Sequence, residues 1–477
     1  MSQEIKDAIA RRALVTLIVS AIAIPLSIAA FVSYFILKSY AKANIRVDTA
    51  APIHVLNENW RGFAQGGEEV GVRMLDPVVP HLSALAPRYI RIDHIYDFYD
   101  VVHRVDGGGL SFDWRHLDAT VCDIYETGAR PFFALGYMPK ALSDSGSPID
   151  PPRDWNEWRQ VVQATIERYS GRQSVLCDGQ ITGDRLSETY YEVWNEPDLE
   201  QFGKWSIYGG AKSYLTMYHH AAKAAASAAD THHFSLGGPA TTAPYKNWMR
   251  TFVDYAKRNS LRLDFLSWHK YTDNPQDYAR DLRDVDSWLT ADAYPSYYNV
   301  QRVISEWGID SQSSDVYNGR RAAAHAAATV TEFAKGGLDL ALAFEPVDGP
   351  QSMFGLIDRE GRVKPRYSAF RLLNSVAGNH VLSVSGETEH VRILGTKNPQ
   401  TGAIVLVISN YDRSDRHEEE VPITLGNLAP GTYEMHISTL GIPRRKTDSI
   451  TIVGGEDVAR SIYMLPNDVA VIEITPQ

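Results

Sequence analysis

The sequence predicts an α/β protein: a (β/α)₈ TIM barrel with a C-terminal antiparallel β-sandwich and an N-terminal transmembrane helix. Short apolar runs alternate with longer helical patterns through most of the chain, which is typical of repeated βα units. From about residue 380, strand patterns separated by turns replace them, and a long uncharged apolar stretch precedes both regions. The predicted divisions are a tail over 1–12, an anchor over 13–37, a barrel over 44–375 and a sandwich over 376–477.

Eight segments of the barrel region are predicted strands because they are short, apolar and rich in β-branched or aromatic residues. They cover 60–66, 89–94, 131–136, 190–194, 234–238, 264–269, 301–305 and 340–345. The segments between them carry helical periodicity, and the last of these ends at the stop signal Gly336-Gly337. The predicted helices include 114–127, 155–169, 211–229, 248–259 and 320–335. Repeated units of this kind over about 310 residues fit a TIM barrel.

The C-terminal region shows little helical periodicity and is predicted to be all β. Its strand patterns include 391–396, 403–409, 431–437 and 469–474. Turn signals at Asn398-Pro399, Pro430-Gly431 and Pro466-Asn467 separate them. We expect this sandwich to brace the barrel.

Length and charge exclude several classes of function. A chain of 477 residues with 44% hydrophobic content can bury a large core. The net charge of -11 leaves no basic surface of the kind that phosphate backbones attract, so nucleic acid is not an expected partner. No Gly-x-Gly-x-x-Gly or phosphate loop follows a predicted strand, and no cofactor is predicted. His219-His220 and His232-His233 lack the spacing of zinc ligands, and no metal is predicted.

The two cysteines, Cys122 and Cys177, are too few for a disulfide framework and wrongly arranged for a structural zinc site. Cys122 lies in an apolar helical pattern with Leu117, Val121 and Ile124, which favours a buried free thiol. A single bridge between the two cysteines is the alternative.

The N-terminal stretch 13–37 carries no charge and is flanked by Arg11, Arg12 and Lys38. It is long enough to span a bilayer as a helix. The rival interpretation is a cleaved signal peptide, because Ala41-Lys42-Ala43 has the small-x-small form that a signal peptidase recognises. The stretch exceeds the usual apolar core of a signal peptide, which favours an anchor.

Two predicted strands deliver a glutamate where the strand ends. The first carries Trp194-Asn195-Glu196-Pro197 and is stopped by its proline, and the second carries Ser305-Glu306-Trp307. Barrel enzymes place their catalytic groups at the carboxyl ends of the strands. Glu196 and Glu306 are therefore expected to face one pocket. Each motif alone is weak, since Asn-Glu-Pro is more often a turn or a helix start.

Two carboxyl groups in unlike environments can hydrolyse an acetal, because one donates a proton to the leaving oxygen and the other meets the developing cation. In a retaining enzyme, they stand roughly 5–5.5 Å apart. The pairing of Trp-Asn-Glu-Pro with a later Ser-Glu-Trp resembles the clan of (β/α)₈ retaining glycosidases. Within that clan the chain most resembles glycoside hydrolase family 39, the β-xylosidase and α-L-iduronidase family. Segments 89–94, 112–114, 131–140, 236–240, 264–271, 355–358 and 364–373 extend this resemblance.

The resemblance implies a role for each matching residue. Glu196 is the expected acid/base and Glu306 the nucleophile, and the expected reaction proceeds through a covalent glycosyl-enzyme intermediate. Asn195 is expected to bind the sugar hydroxyl beside the reacting carbon, and Tyr271 to hydrogen-bond the nucleophile. Three more residues belong to the expected site. His269 lies on the same strand end as Tyr271, and the alternative for it is a wall residue without a role in binding. Arg91 is expected beneath the carboxylates, and Trp307 beside the nucleophile. Arg91 could equally be a buried ion-pair partner.

Departures from the family pattern concern the sugar-binding wall. Asp93-His94 stands where the family usually has His-Gly, and Glu345 follows Phe344 where a pocket tryptophan is expected. Both positions are expected to contact the sugar.

The identity of the sugar is not fixed by the sequence. The iduronidase branch carries lysine where this chain has Tyr271, which disfavours a uronic acid. Lys140, an expected substrate contact, and Lys270 leave that question open. Cleavage mode and oligomeric state are also left open.

The expected function is that of a retaining glycosidase anchored to the membrane through its N-terminal helix, with its catalytic part outside the cytoplasm and an oligo- or polysaccharide as substrate. A cleaved secreted form is the alternative location. The competing functions are a non-catalytic, membrane-tethered glycan-binding barrel and an unrelated barrel enzyme in which Glu196 and Glu306 stand too far apart to share a substrate.

Overall fold

The computed structural model describes residues 42–66, 69–290, 293–294 and 299–477. Nineteen strands and eight α-helices lie in these ranges. The strands are β1 (Ile45–Val55), β2 (Gly62–Gln65), β3 (Tyr89–Ile92), β4 (Val102–Arg104), β5 (Leu110–Phe112), β6 (Arg130–Leu135), β7 (Thr189–Val193), β8 (Phe234–Thr241), β9 (Phe265–Tyr271), β10 (Gln301–Gly308), β11 (Leu340–Phe344), β12 (His380–Ser385), β13 (Val391–Lys397), β14 (Ile404–Asn410), β15 (Glu419–Gly426), β16 (Gly431–Thr439), β17 (Ile442–Ile452), β18 (Val458–Met464) and β19 (Asp468–Pro476). The helices are α1 (Val79–Ser83), α2 (Arg115–Glu126), α3 (Trp155–Ser170), α4 (Tyr214–Ser227), α5 (Lys246–Arg258), α6 (Gln276–Trp288), α7 (Arg320–Phe333) and α8 (Pro365–Leu373).

Eight parallel strands close a barrel in the order β2-β3-β6-β7-β8-β9-β10-β11, which is the chain order of the predicted strands. Every predicted barrel strand is present, and the predicted helices differ by a few residues at their ends. Helix α4 begins at Tyr214 instead of residue 211 because Ser213 caps it, accepting a hydrogen bond from the Thr216 amide. The TIM-barrel prediction is confirmed.

Alternation along the strands divides barrel side chains between two cores. Outward side chains such as Ile90 and Tyr191 join the large cluster that packs against the helices. Inward side chains at the lower end of the barrel form a separate cluster. Its centre is the aromatic floor, defined here as Tyr89, Phe132, Tyr190 and Phe265. Ring centroids in the floor lie 5.0–5.7 Å apart, so the barrel is filled below its upper end.

The C-terminal region is a sheet-rich unit of nine strands in the order β17-β16-β19-β14-β13-β12-β1-β15-β18. Buried apolar side chains from all nine strands form one core. Its pairings are antiparallel except that of β1 with β15, which is parallel. Strand β1 lies in the range assigned to the barrel by the predicted division at residue 44, so that assignment differs from the structure. Apolar residues at alternate positions, Ile45 and Val47, bury its inner face in the sheet core.

The expectation of a buried free thiol is wrong, because Cys122 and Cys177 form a disulfide with their Cα atoms 5.6 Å apart. Cys122 lies at the half-buried edge of α2 instead of on its buried face. The segment that follows α3 places the half-buried Cys177 against it. A helical pattern identifies the apolar face but does not show what a distant loop brings to its edge.

Among the described residues, no helix combines the length and the apolar character needed to cross a bilayer. The predicted anchor over 13–37 lies outside the described residues.

Candidate active site

Two strands bring inward-facing polar residues to the upper end of the barrel by simple alternation. On β3, Tyr89 belongs to the aromatic floor, and Arg91 and Asp93 follow at alternate positions. On β9, Phe265 belongs to the floor, and His269 and Tyr271 lie four and six residues further along on the same inward face. The period of two that builds the floor therefore also positions the polar groups above it.

Glu196 reaches the site because the chain leaves β7 in an unusual conformation. Trp194 and Glu196 have φ of 72° and 39°, in the left-handed region that residues with side chains seldom adopt. Their backbone is held from both sides, since the Trp194 amide donates to the Leu135 carbonyl and the Glu196 amide to the Ala240 carbonyl. Strain of this kind, fixed by neighbours, is typical of functional sites.

Glu306 reaches the site because β10 contains a bulge. The register of β10 against both neighbouring strands shifts after Ile304. Val303 faces the aromatic floor, while Ile304 and Trp307 face the helices. Strict alternation would turn Glu306 outward, and the extra residue at Ser305 turns it inward, opposite His269 of β9.

The two glutamates converge on His269. One side-chain oxygen or nitrogen from each of Glu196, His269 and Glu306 lies within 4.8 Å of the others. His269 Nδ1 lies 2.8 Å from Glu196 Oε1 and 3.4 Å from Glu306 Oε2. The Tyr271 hydroxyl donates to Glu306 Oε2 at 2.8 Å. His269 is fully buried, while Glu196 keeps part of its side chain exposed.

Arg91 lies beneath the carboxylates and holds three side chains at once. Its guanidinium donates at 2.8 Å to Glu192 Oε2, to Glu306 Oε1 and to Asn195 Oδ1. Arg91 and Glu192 are both fully buried. The structure thus joins the two roles considered for Arg91, because one guanidinium is a buried ion-pair partner and a support for the site.

Burial and charge shift the pKa values of these groups in defined directions. Burial raises the pKa of Glu306, although the positive charges of His269 and Arg91 oppose this effect. Burial alone would lower the pKa of His269, but Glu306 and Glu196 outweigh it and raise that pKa. Burial beside Glu306 raises the pKa of Tyr271 well above its usual value, so its hydroxyl remains a donor.

The altered wall forms two patches around this centre. His94 Nδ1 lies 2.8 Å from Asp97 Oδ2, and the His94 ring stacks on Phe98 with centroids 3.9 Å apart. Asp93 is buried, and its Oδ1 has no hydrogen-bond partner among the described residues.

The second patch follows β11. Glu345 is fully buried and accepts a hydrogen bond from Ser352 at 2.8 Å, while its Oε2 has no partner within the described chain. Burial raises the pKa of Glu345 well above its usual value, and the negative charges of Asp348 and Glu306 add to this.

Trp307, an expected sugar contact, lies outside the pocket. It is fully buried between barrel and helices, where it packs against Tyr278, Phe333 and Phe370, because the bulge turns it away from the pocket. Lys140 is exposed on the loop after β6, with its aliphatic chain beside Gly146, and its contact with the substrate stays a prediction.

Lys270 does not enter the pocket either. It faces outward from β9, and its Nζ lies 2.9 Å from Asp281 Oδ2 on α6.

Two residues of the site were missed by the sequence analysis. Tyr137 is buried after β6, and its hydroxyl accepts a hydrogen bond from Asn195 Nδ2 at 2.8 Å. Glu192 is the ion-pair partner of Arg91. Glu192 carried a usable signal, since a glutamate inside an otherwise apolar strand requires a buried cation.

The atoms of Glu196, His269 and Glu306 are close enough together to be considered as metal ligands. His269 Nδ1 already lies 2.8 Å from Glu196 Oε1 and 3.4 Å from Glu306 Oε2, and the positive guanidinium of Arg91 lies 2.8 Å from Glu306 Oε1. A cation would have to compete with that charge. The expectation that the protein uses no metal remains a prediction.

The sequence and the fold both match known glycosidases. The model of glycosyl hydrolases family 39 matches residues 44–320. The chain is 26% identical to a β-xylosidase from Caldicellulosiruptor saccharolyticus over 358 residues, which are 68% of this chain and 69% of that protein. It is 24% identical to a β-xylosidase from Geobacillus stearothermophilus over 376 residues, 69% of this chain and 70% of that protein.

Solved structures share the whole architecture. A family 39 enzyme from Xanthomonas axonopodis pv. citri superposes with a TM-score of 0.74 at 19% identity, covering 92% of this chain and 98% of that one. A monomeric β-xylosidase from Caulobacter crescentus superposes with a TM-score of 0.71 at 21% identity, covering 91% of this chain and 99% of that one.

A barrel carrying two strand-end glutamates and matching these proteins is a glycoside hydrolase. The chain belongs to glycosyl hydrolase family 39, because the family model covers more than half of its length. This assignment does not favour the non-catalytic alternative.

Proposed function

We propose that this glycoside hydrolase cleaves O-glycosidic bonds of an oligo- or polysaccharide with retention of configuration, using Glu196 as acid/base and Glu306 as nucleophile. One observation carries the proposal: an oxygen of each glutamate lies within 4.8 Å of the other across His269. Retaining enzymes hold their carboxyl groups about 5–5.5 Å apart, and inverting enzymes about 6.5–9.5 Å apart to admit a water. The separation favours retention.

In the first step, a Glu306 oxygen forms a bond to the anomeric carbon while the bond to the leaving oxygen breaks. Glu196 transfers its proton to that oxygen, so the alcohol leaves neutral. In the second step, Glu196 takes a proton from water, which attacks the anomeric carbon and releases Glu306 as a carboxylate. The sugar leaves with its original configuration, and both glutamates regain their starting protonation.

Glu306 and Glu196 have different hydrogen-bond partners, and this difference supports their proposed roles. Glu306 accepts from Arg91 and Tyr271, whose donors stabilise its anionic form. Glu196 is the more exposed of the two, and its partner is His269. A fixed anion suits a nucleophile, and a carboxyl beside a titratable imidazole suits a group that gains and loses a proton.

For the substrate we propose a neutral sugar, with β-D-xylosides as the first candidates because both curated relatives are named β-xylosidases. Lys270, which could have paired with a uronic acid, instead pairs with Asp281. The altered wall adds the buried side chains of Asp93 and Glu345, and neither supplies the cation that would pair with a sugar carboxylate.

The stereochemical course tests the mechanism directly. The anomeric proton of the first product, followed by NMR from the start of hydrolysis of an aryl β-glycoside, should belong to the β-anomer. Initial formation of the α-anomer would contradict a retaining mechanism.

Two matched variants test the assignment of roles. Glu196→Gln should slow aryl glycosides with poor leaving groups far more than activated ones, because only the former need the proton. Glu306→Gln should abolish hydrolysis of both. Equal residual rates of the two variants on an activated substrate would contradict the assignment.

For location, we propose that the catalytic part lies outside the cytoplasm and is held to the membrane by residues 13–37. The disulfide between Cys122 and Cys177 supports this, since such bonds persist in oxidising compartments. A reporter that works only outside the cytoplasm should be active when it is fused after Gln477. Activity of a reporter that works only in the cytoplasm would contradict the proposal.

A further inference from the structure

Two tyrosines with unusually exposed rings lie on the loops that follow β7 and β8. The side chains of Tyr208 and Tyr245 are 74% and 43% exposed. Together with Tyr463 in the sheet, they are the most exposed aromatic side chains of the described chain. An exposed aromatic ring on a loop at the carboxyl end of the barrel strands needs an explanation, because burial would otherwise stabilise it.

The loop that carries Tyr208 is built to hold this ring outward. Trp205 and Ile207 on either side of Ser206 are each only 2% exposed and anchor the loop. The Ser206 side chain accepts from the Tyr208 amide at 3.1 Å, and its backbone bonds to Lys212 and Tyr214. The next two residues are glycines with φ of 107° and 100°, conformations that only glycine adopts readily. The exposure of Tyr208 is therefore fixed by its loop.

The hydroxyl groups of both tyrosines are held by polar partners. Tyr208 accepts from Asn247 Nδ2 at 3.0 Å, and the Tyr245 hydroxyl lies 3.0 Å from Thr242 Oγ1. Asn247 is two residues beyond Tyr245, so this bond links the loop of Tyr208 to the start of α5, which Tyr245 precedes. With their hydroxyls occupied, the tyrosines present ring faces.

These rings are connected to the segment of Glu196. Thr242 donates to Asp198 through its amide at 3.1 Å and through its hydroxyl at 2.5 Å. Asp198 is two residues beyond Glu196. The contacts Asp198–Thr242–Tyr245 thus lead from the acid/base loop to the pair of rings.

We propose that Tyr208 and Tyr245 form a binding platform for sugar units on the leaving-group side of the cleaved bond. This inference rests on the proposed function, in which Glu196 protonates the leaving oxygen and so marks that side of the cleft. Pyranose rings have apolar C–H faces that cover aromatic faces without requiring charge. The substrate class is accordingly a glycan chain that continues past the cleaved bond, not a glycoside of a small alcohol.

The test compares substrates with and without sugars beyond the cleaved bond. The variants are Tyr208→Ala, Tyr245→Ala and their double. The matched control is Tyr463→Ala, because Tyr463 on β18 has an exposure between those of Tyr208 and Tyr245 and its hydroxyl bonds to Glu418. Tyr208→Phe and Tyr245→Phe keep the rings and remove the hydroxyls. The substrates are the aryl glycoside that the wild type hydrolyses and β-1,4-linked oligosaccharides of the same sugar in increasing length.

For the wild type, kcat/KM should rise with oligosaccharide length. The double alanine variant should lose about tenfold or more on the long substrates, because apolar sugar surface is no longer covered. Its rate on the aryl glycoside should be unchanged, and the phenylalanine and Tyr463 variants should match the wild type.

An unchanged length dependence in the double variant overturns the platform. So does an equal loss on the aryl glycoside, or the same loss in Tyr463→Ala. A wild type that hydrolyses none of these substrates refutes the proposed function instead, so the two failures are distinguishable.

Discussion

The lower and upper layers of the barrel interior are carried by the same strands, two to four residues apart, yet their chemistry is opposite. Tyr89 on β3 and Tyr190 on β7 fill the aromatic floor, and two residues further along these strands stand Arg91 and Glu192. The floor excludes polar groups and contributes apolar burial. The upper layer holds buried charges, of which Arg91, Glu192 and Glu306 are joined by ion pairs. Stability and reactivity thus depend mainly on different layers, and substitutions that leave no buried charge without its partner should affect one property and spare the other.

The largest effect is expected from Glu306→Gln in the upper layer. The variant should lose about 10⁴-fold or more in kcat, as hydrolases do when the nucleophile is removed. Arg91 keeps Glu192 as its partner, so the unfolding midpoint should change little. Rate measurements on an activated aryl glycoside and chemical denaturation check both halves. A large loss of stability would show that the layers are not separable.

Phe132→Ala in the aromatic floor should have the reverse profile. Removing this fully buried ring should lower the free energy of unfolding by about 3–5 kcal/mol. The conservative Phe132→Leu should lower it much less. The kcat of the folded fraction should equal that of the wild type in both variants, and a large loss of kcat in Phe132→Leu would break the comparison.

Tyr271→Phe sharpens the comparison within the upper layer. It deletes one donor to Glu306 and leaves the ring in place. A hydrogen bond to a charged group contributes about 1.5–3 kcal/mol, so kcat/KM should fall between about tenfold and a hundredfold. Loss of stability without loss of rate would show that Tyr271 supports the fold and not the reaction.

The smallest effect is a displacement of the pH profile. Burial raises the pKa of Glu306, and Arg91 opposes this. As the proposed nucleophile, Glu306 must be ionised to attack, so the acid limb of kcat/KM should lie above the usual range of glutamate. In the double variant Arg91→Met/Glu192→Gln, the positive charge of Arg91 is gone. The pKa of Glu306 should therefore rise further, and the acid limb should move to higher pH. Removing both partners avoids an unpaired buried charge, whereas Arg91→Met alone should destabilise the fold by about 3–5 kcal/mol. A shift to lower pH would contradict the electrostatic account.

The sequence predicted the strands and the two glutamates because both depend on local patterns. A β-strand of period two and a carboxylate at its end are visible in Tyr190-Tyr191-Glu192-Val193 and the residues that follow it. The bulge at Ser305 was not predictable in this way, since it depends on how β10 pairs with two neighbours. That single extra residue turned Trp307, an expected sugar contact, toward the helices.

Contacts between distant segments account for the other differences. The disulfide needs the loop of Cys177 to fold against α2, and nothing in the spacing of the two cysteines specifies this. Tyr137 enters the site through Asn195, from a neighbouring strand. Such partners become visible only when the barrel is closed.

Strand β1 has a consequence for how the protein can be divided. In the sheet, β1 lies between β12 and β15. The barrel strands β2 to β11 come between β1 and these two neighbours in the chain, so the neighbours of β1 are added only after the barrel. A fragment beginning at residue 376 would lack this strand, and the antiparallel pair of β15 and β18 would lose the edge that it joins. The two units are interlocked by chain order, and shortening the protein to the C-terminal unit would separate two strands of the sheet from the other six.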